Sequence, residues 1–277
     1  MSTNHLLEVL AAGETAVGLS CMLGSAQIAE EFALAGFDYV YLDQQHGTTS
    51  ADTLLEMLRA VARSETTPLV RVAKNDVALI GQALDAGAEG VIVPMIEDAA
   101  AAAGAAAACR YHPLGQRSWG PLRAVYGLGS DPATVNAQVI CLVMIESAKG
   151  LANVDEILAT PGVDGVYIGP ADLAVSLGGL PVGVEQSGDQ IQLAAIAAIQ
   201  DACARAGKVA AITGNAARRS ADGFRMVTVA SDITMIRSAL ATARTSTPQS
   251  YGVIIRNPSE KRATDSAETN TTKVLVK

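Results

Sequence analysis

The stretch that decides the fold is residues 39–73, "YVYLDQQHGTTSADTLLEMLRAVARSETTPLVRVA". It opens on an apolar run, Tyr39 to Leu42, which reads as a buried strand, and breaks into Asp43, Gln44, Gln45, His46 and Gly47. "SADTLLEMLRAVARS" (50–64) follows with helical spacing, and "PLVRVA" (68–73) returns to a strand pattern. Strand, helix and strand in so short a space form a βαβ unit with parallel strands. The histidine directly after an apolar strand, three residues from an aspartate, is on its own either ordinary loop chemistry or part of a site.

Working outward, the same unit recurs. Strands are expected at 15–22, 39–43, 68–73, 90–96, 139–147, 163–170, 208–213 and 226–232. Helices are expected at 25–36, 50–64, 75–87, 99–108, 151–162, 171–178, 190–207, 215–222 and 233–244. The alanine-rich stretch 99–108 reads as a smooth-faced amphipathic helix, and Tyr111 to Asn136 as a long polar connection. Eight strand–helix units in about 240 residues have the size of a (β/α)8 TIM barrel. An open doubly wound sheet is the competing architecture. Residues 1–244 are expected to form one catalytic domain. Residues 245–277, rich in Thr, Ser, Lys and Glu, read as a tail, partly disordered or packed on a neighbour.

Bulk properties agree with this reading. The chain has 277 residues, 49% of them hydrophobic and only 4% aromatic, which suits helices packed on parallel strands. A net charge of −8 argues against a nucleic-acid or anionic-membrane surface. Cys21, Cys109, Cys141 and Cys203 form no CxxC pair and read as core residues of a reduced, cytoplasmic protein. No secretory signal is apparent at the N-terminus, and residues 99–108 are too short a run to span a bilayer.

In such a barrel the chemistry sits at the C-terminal ends of the strands, and polar exceptions collect there. Asp43 and His46 follow the second strand, Arg71 ends the third, Glu146 the fifth, and Asp172 the sixth. Each has a plain alternative: a polar strand end, a strand-end cation, a helix-side acid, an N-cap. Two carboxylates facing one pocket repel unless a cation lies between them. Glu146 and Asp172 therefore suggest Mg²⁺ or Mn²⁺ holding a chelating 2-oxo acid. "GPAD" (169–172) offers backbone N–H groups at a helix start to an anionic oxygen. Arg71 can add a charge-assisted donor. His46 is the proton-transfer group, with Asp43 available to orient it.

These residues resemble the HpcH/HpaI aldolases, metal-dependent class II pyruvate aldolases related to citrate lyase β subunits. The resemblance runs from about Gly18 to Arg244. It is carried by "GFDYVYLDQQHG", "PLVRVAKND", "LDAGAEGVIVPMIEDAAAA" and, most specifically, "VMIESAKGLANVDEILATPGVDGVYIGPADLAVSLG". "YHPLGQRSWGPLRA" resembles the family's loop over the pocket. The resemblance implies a phosphoenolpyruvate/pyruvate-type barrel with Glu146 and Asp172 as metal ligands. It implies that Arg71 contacts the pyruvyl oxygen, that His46 is in the acid/base machinery, and that the amides of Ala171 and Asp172 hold the carboxylate. Asp85, otherwise a helix-end acid, matches an aspartate that pairs with the histidine of another subunit. That subunit belongs to a trimer or hexamer whose last helix is exchanged. Gln45 and Met144 stand where the aldehyde-cleaving type member has Glu and Gln, close to the expected substrate pocket, which leaves the second substrate open.

The expected activity is retro-aldol cleavage of a 4-hydroxy-2-oxo acid to pyruvate and an aldehyde, through a pyruvate enolate held on the metal. Mg²⁺ is the first choice, with Mn²⁺ or Co²⁺ as alternatives. One rival is an oxaloacetate decarboxylase or a macrophomate-synthase-like enzyme that captures the enolate. A rival of another class is a non-catalytic barrel that binds 2-oxo acids.

Overall fold

The computed structural model describes residues 3–120 and 123–246. Eight parallel strands close on one another in sequence order: β1 (Ala16–Cys21), β2 (Tyr39–Asp43), β3 (Thr67–Arg71), β4 (Gly90–Val93), β5 (Ile140–Ile145), β6 (Gly165–Ile168), β7 (Val209–Thr213) and β8 (Met226–Ser231). Pairing of Ala16 with Met226 and of Ser20 with Ser231 joins β1 to β8 and shuts the barrel. The (β/α)8 expectation holds, and the open sheet is excluded. The helices are α1 (His5–Ala11), α2 (Ala26–Leu34), α3 (Ala51–Val61), α4 (Val77–Asp85), α5 (Ala99–Cys109), α6 (Pro132–Gln138), α7 (Ala148–Ala152), α8 (Val154–Leu158), α9 (Pro170–Ser176), α10 (Gln190–Ala206), α11 (Ala216–Ala221) and α12 (Asp232–Ser246).

Period-two alternation builds the interior. Tyr39 and Tyr41 on β2, Leu69 on β3, Leu142 and Met144 on β5 and Tyr167 on β6 pack into one buried cluster inside the barrel. A second cluster fills the space between sheet and helices, with Val40, Leu42, Val70 and Val143 from the intervening strand positions. The same alternation carries Asp43 above Tyr41, Arg71 above Leu69, and Glu146 above Met144. The charged residues thus form the next layer up the interior, at the strands' C-terminal rim. Beneath them the hydroxyls are linked: Tyr39 Oη lies 2.7 Å from Thr228 Oγ1, and Tyr167 Oη lies 2.8 Å from Thr228 Oγ1 and 2.9 Å from Thr213 Oγ1.

Several local readings are corrected. The N-terminal segment holds helix α1, which plugs the opposite end of the barrel. Leu6 joins the interior cluster, its N–H donates to Thr67 Oγ1, and Asn4 Nδ2 donates to the carbonyls of Glu89 and Gln138. The connection expected from Tyr111 to Asn136 contains a 3₁₀ turn, Ala124–Tyr126, and helix α6, capped by Asp131 with Pro132 in its first turn. The helix expected at 151–162 is two short helices broken at Asn153, whose side-chain amide donates to the Glu97 carbonyl. In α5 the distinction between faces lies in burial, at Ala102, Ala105, Ala106, Ala108 and Cys109, while both faces are alanine.

One compact unit ends at Ile233; of a second, which begins at Thr234, the structure describes residues 234–246. The expected tail, 245–277, lies outside the described residues apart from Thr245 and Ser246. Among the described residues no helix is long and apolar enough to cross a membrane, and all four cysteines are buried free thiols.

Glu89, just before β4, gives the barrel's lower end a pH dependence. Burial pushes its carboxyl up from 4.5 to about 7. Between those values the folded chain binds more protons than the unfolded one, so stability falls as pH rises through that window. Below pH 4.5 both states are protonated and the effect vanishes. Glu89→Gln is therefore expected to raise the Tm at pH 8 while leaving it nearly unchanged at pH 4.5. An equal shift at both pH values in thermal melts would assign the effect to packing instead.

Candidate active site

Four strands present the expected residues to the same rim. Asp43 ends β2 and Arg71 ends β3, and the two are register partners. Glu146 directly follows β5, and Asp172 lies in the first turn of α9 after β6.

Arg71 and Asp43 form a two-pronged ion pair. Arg71 Nε donates to Asp43 Oδ1 at 2.8 Å, and Nη2 to Oδ2 at 2.6 Å. The Asp43 side chain is fully buried and the Arg71 side chain is 12% exposed. Burial works against the Arg71 charge, but the Asp43 carboxylate more than offsets it and raises the guanidinium pKa. Arg71 also lies over the Tyr41 ring, 5.6 Å from its centroid. Tyr41 in turn meets Tyr167 edge-on. The fork and the platform fix Arg71 in place, and its other guanidinium N–H groups have no hydrogen-bond partner among the described residues, which leaves them for a ligand.

This corrects the role of Asp43. It was expected to orient His46, but its two oxygens serve Arg71. Among the described residues, its side-chain hydrogen bonds to the following loop are those from the backbone N–H groups of Gln45, at 3.0 Å, and His46, at 3.4 Å. The His46 side chain is exposed and makes no hydrogen bond or ion pair among the described residues. Gln45 points a buried Oε1 with no hydrogen-bond partner among the described residues.

Glu146 is 3% exposed, and its Oε1 accepts from the Met95 N–H at 2.8 Å. Burial raises its carboxyl from the ordinary value. The Met95 N–H opposes the rise, Asp172 adds to it, and Arg71 opposes it. Glu146 is therefore within electrostatic reach of both residues. Gly169 closes its other side: a Cβ there would stand 2.5 Å from Glu146 Oε2 and 2.8 Å from its Cβ. Met144 is 2% exposed and forms the floor beneath Glu146 and Gly169.

The acids fit a divalent cation. A buried carboxylate that feels a second one, in a slot only glycine can border, is a place for positive charge. No group of three or more His, Cys, Asp or Glu side chains gathers among the described residues. An ion here would have two protein carboxylates and open positions for water and substrate, which suits Mg²⁺ or Mn²⁺. Ala171 and Asp172 open α9, where first-turn amides have no helical acceptor.

Asp85 is not brought to this rim. It ends α4, roughly 12 Å along the helix from its rim-side start, and accepts from Arg117 Nη2 at 2.7 Å. The described part of the "YHPLGQRSWGPLRA" loop follows α5 and packs on this same far end. The Arg123 N–H donates to the Asp85 carbonyl there, so the described part of the loop does not cover its own chain's site. Reading the sequence missed Met95, Tyr41 and Tyr167, and it named Gly169 only within "GPAD", for its N–H groups and not for the space it leaves Glu146. Gly169 had a visible signal, a glycine at the end of an inward-facing strand. Met95 had none, since methionine does not favour the left-handed backbone found there.

Residues 17–239 match the HpcH/HpaI aldolase/citrate lyase family. The chain is 39% identical over 216 residues to a hydroxypyruvate/pyruvate aldolase of Rhizorhabdus wittichii, covering 76% of this chain and 85% of that protein. It is 38% identical over 208 residues to a pyruvate aldolase of Rhizobium etli, covering 74% and 79%. Among solved structures, an HpcH/HpaI aldolase/citrate lyase family protein of Burkholderia cenocepacia J2315 superposes with a TM-score of 0.79 at 35% identity, covering 88% of this chain and 98% of that one.

Proposed function

Because this chain belongs to the HpcH/HpaI aldolase/citrate lyase family and acts as a carbon–carbon lyase, we propose that it cleaves a 4-hydroxy-2-oxo acid to pyruvate and an aldehyde. The observation that carries this reading is the rim itself. A fixed, permanently charged Arg71 stands within electrostatic reach of a buried Glu146, which also feels Asp172.

The divalent ion, Mg²⁺ first and Mn²⁺ or Co²⁺ as alternatives, would be held by Glu146 and Asp172 and would polarise the substrate ketone as a Lewis acid. The amides of Ala171 and Asp172 receive the substrate carboxylate. Arg71 donates to the ketone oxygen and stabilises the charge that develops there as the C3–C4 bond breaks. His46, or a water it positions, takes the C4 hydroxyl proton. The C4 fragment leaves as the aldehyde, and protonation of the enolate at C3 gives pyruvate. Gln45 borders the second substrate with its unpartnered Oε1, and Met144 supplies the floor.

The proposal includes a cytoplasmic homo-oligomer, a trimer or hexamer, in which helix α12 is exchanged and Asp85 serves the histidine of another copy. In support, Asp85 stands at the wrong end of its own barrel to serve His46 there. The buried free thiols suit a reducing compartment.

Product analysis tests the reaction. With 4-hydroxy-2-oxo acids, pyruvate and aldehyde should appear in equal amounts. Release of CO₂ from oxaloacetate with no aldehyde cleavage would instead make it a decarboxylase. Binding of 2-oxo acids without turnover of either would make it a binding barrel.

A further inference from the structure

We propose that Met95 is a positioning residue for Glu146: its backbone is held in the left-handed region so that its N–H fixes the carboxylate. The inference rests on the reading that Glu146 and Asp172 hold a divalent ion, and it concerns what keeps that ligand in place before the ion arrives.

Met95 has φ 55°, and among the described residues it is the single non-glycine with positive φ. Side chains carry a steric cost in that region. Burial of the Met95 side chain offsets little of that cost. The residue is 53% exposed, while Pro94 and Ile96 on either side are buried. The gain lies in the main chain. The turn aims the Met95 N–H at Glu146 Oε1, 2.8 Å away. The next residue then rejoins the sheet, with the Ile96 N–H donating to the Met144 carbonyl at 3.2 Å. The strained residue therefore lies between the end of β4 and a contact to β5, directly beside the buried acid. On the opposite side of Glu146 the Gly169 backbone leaves no room for a Cβ. The carboxylate is held in a slot whose two walls are the Met95 amide and Gly169. Strained backbone that persists beside a site is expected where the surrounding structure depends on it.

The proposal separates backbone from thioether. Met95→Gly adopts the left-handed region without steric cost, so it should keep the slot. Met95→Ala has the same backbone cost as Met and lacks the sulfur, so it should also keep it. Met95→Val is β-branched and poorly tolerated at positive φ; the turn should move and release Glu146. The test is a titration of metal-free protein with Mn²⁺, read by electron paramagnetic resonance, beside thermal melts without metal. Glycine and alanine variants should bind Mn²⁺ within about twofold of wild type. The valine variant, folded by circular dichroism, should bind on the order of tenfold or more weakly, as for loss of an outer-shell partner. The glycine variant should melt no lower than wild type. If valine binds Mn²⁺ like wild type, or alanine loses as much as valine, Met95 does not act through its backbone. If the valine variant does not fold, a glycine variant that melts below wild type overturns the account of strain. Failure of the wild type itself to bind Mn²⁺ would remove the two-carboxylate reading first, and this inference with it.

Discussion

Replacing Arg71 by alanine is expected to lower kcat on the order of 10²–10³, the cost of losing one donor to a developing oxyanion. The expectation follows from where Arg71 is held. Two of its N–H groups are committed to Asp43 and its plane lies over Tyr41. The guanidinium is thus fixed before substrate arrives and needs no reorganisation as charge builds on the ketone oxygen. Arg71→Lys should recover only part of the loss, because an ammonium cannot keep the fork to Asp43 and face the substrate at once. Arg71→Ala also leaves Asp43 buried and without its cation, which on its own destabilises by about 3–5 kcal/mol. The double variant Arg71→Ala/Asp43→Asn removes that penalty. It should recover much of the Tm and none of the kcat. Recovery of both would mean that Arg71 acts only through stability.

Gly169→Ala is the second large effect. The added Cβ would stand 2.5 Å from Glu146 Oε2, 2.8 Å from Glu146 Cβ and 3.2 Å from Met144 Cε. A carboxylate tip could swing away from such a contact, but the Cβ of Glu146 cannot move without β5. The acid is therefore displaced as a whole. A loss of about 10–100-fold in activity and in divalent-ion affinity is expected, as for other groups that orient a metal ligand. The overpacking should also cost about 1–3 kcal/mol of stability. Steady-state kinetics at saturating Mn²⁺ separate the two: if excess metal restores full kcat, only affinity has been lost. Wild-type affinity and activity would show that the slot tolerates a methyl group.

How much of this could be read from the sequence follows from the range of each interaction. The eight strands and their rim are local patterns. Alternation along a strand tells which residues face inward, and the polar break after it tells where the rim lies. Asp43, Arg71, Glu146 and Asp172 were placed on that basis. The partner of Asp43 was not legible, because it depends on the lateral register of β2 on β3. Asp43 and Arg71 are register partners, and an arginine directly across at 2.6 Å outcompetes a histidine reached only round a loop. Helix α1 was overlooked because a seven-residue helix is too short for its periodicity to stand out, although Asn4 caps it. Helix α6 was overlooked within a polar segment, where Asp131–Pro132 marked its start. Asn153 breaks a run of good helix formers with one side-chain hydrogen bond to a distant carbonyl. Asp85 shows the limit of a single chain. Its position on α4 could be read, but its partner within the chain is Arg117 from a loop 32 residues away.

A rim built in this way should stabilise the enolate of a 2-oxo acid. Exchange of the pyruvate methyl hydrogens with solvent tests that claim without knowledge of the aldehyde. Pyruvate is incubated with the Mn²⁺- or Mg²⁺-loaded protein in D₂O and followed by proton NMR. The methyl signal should decay at a rate proportional to enzyme. The decay should fall on the order of 10²–10³-fold in Arg71→Ala and stop when EDTA is present. A methyl signal that decays no faster with the metal-loaded wild-type protein than in buffer would mean that this rim forms no pyruvate enolate.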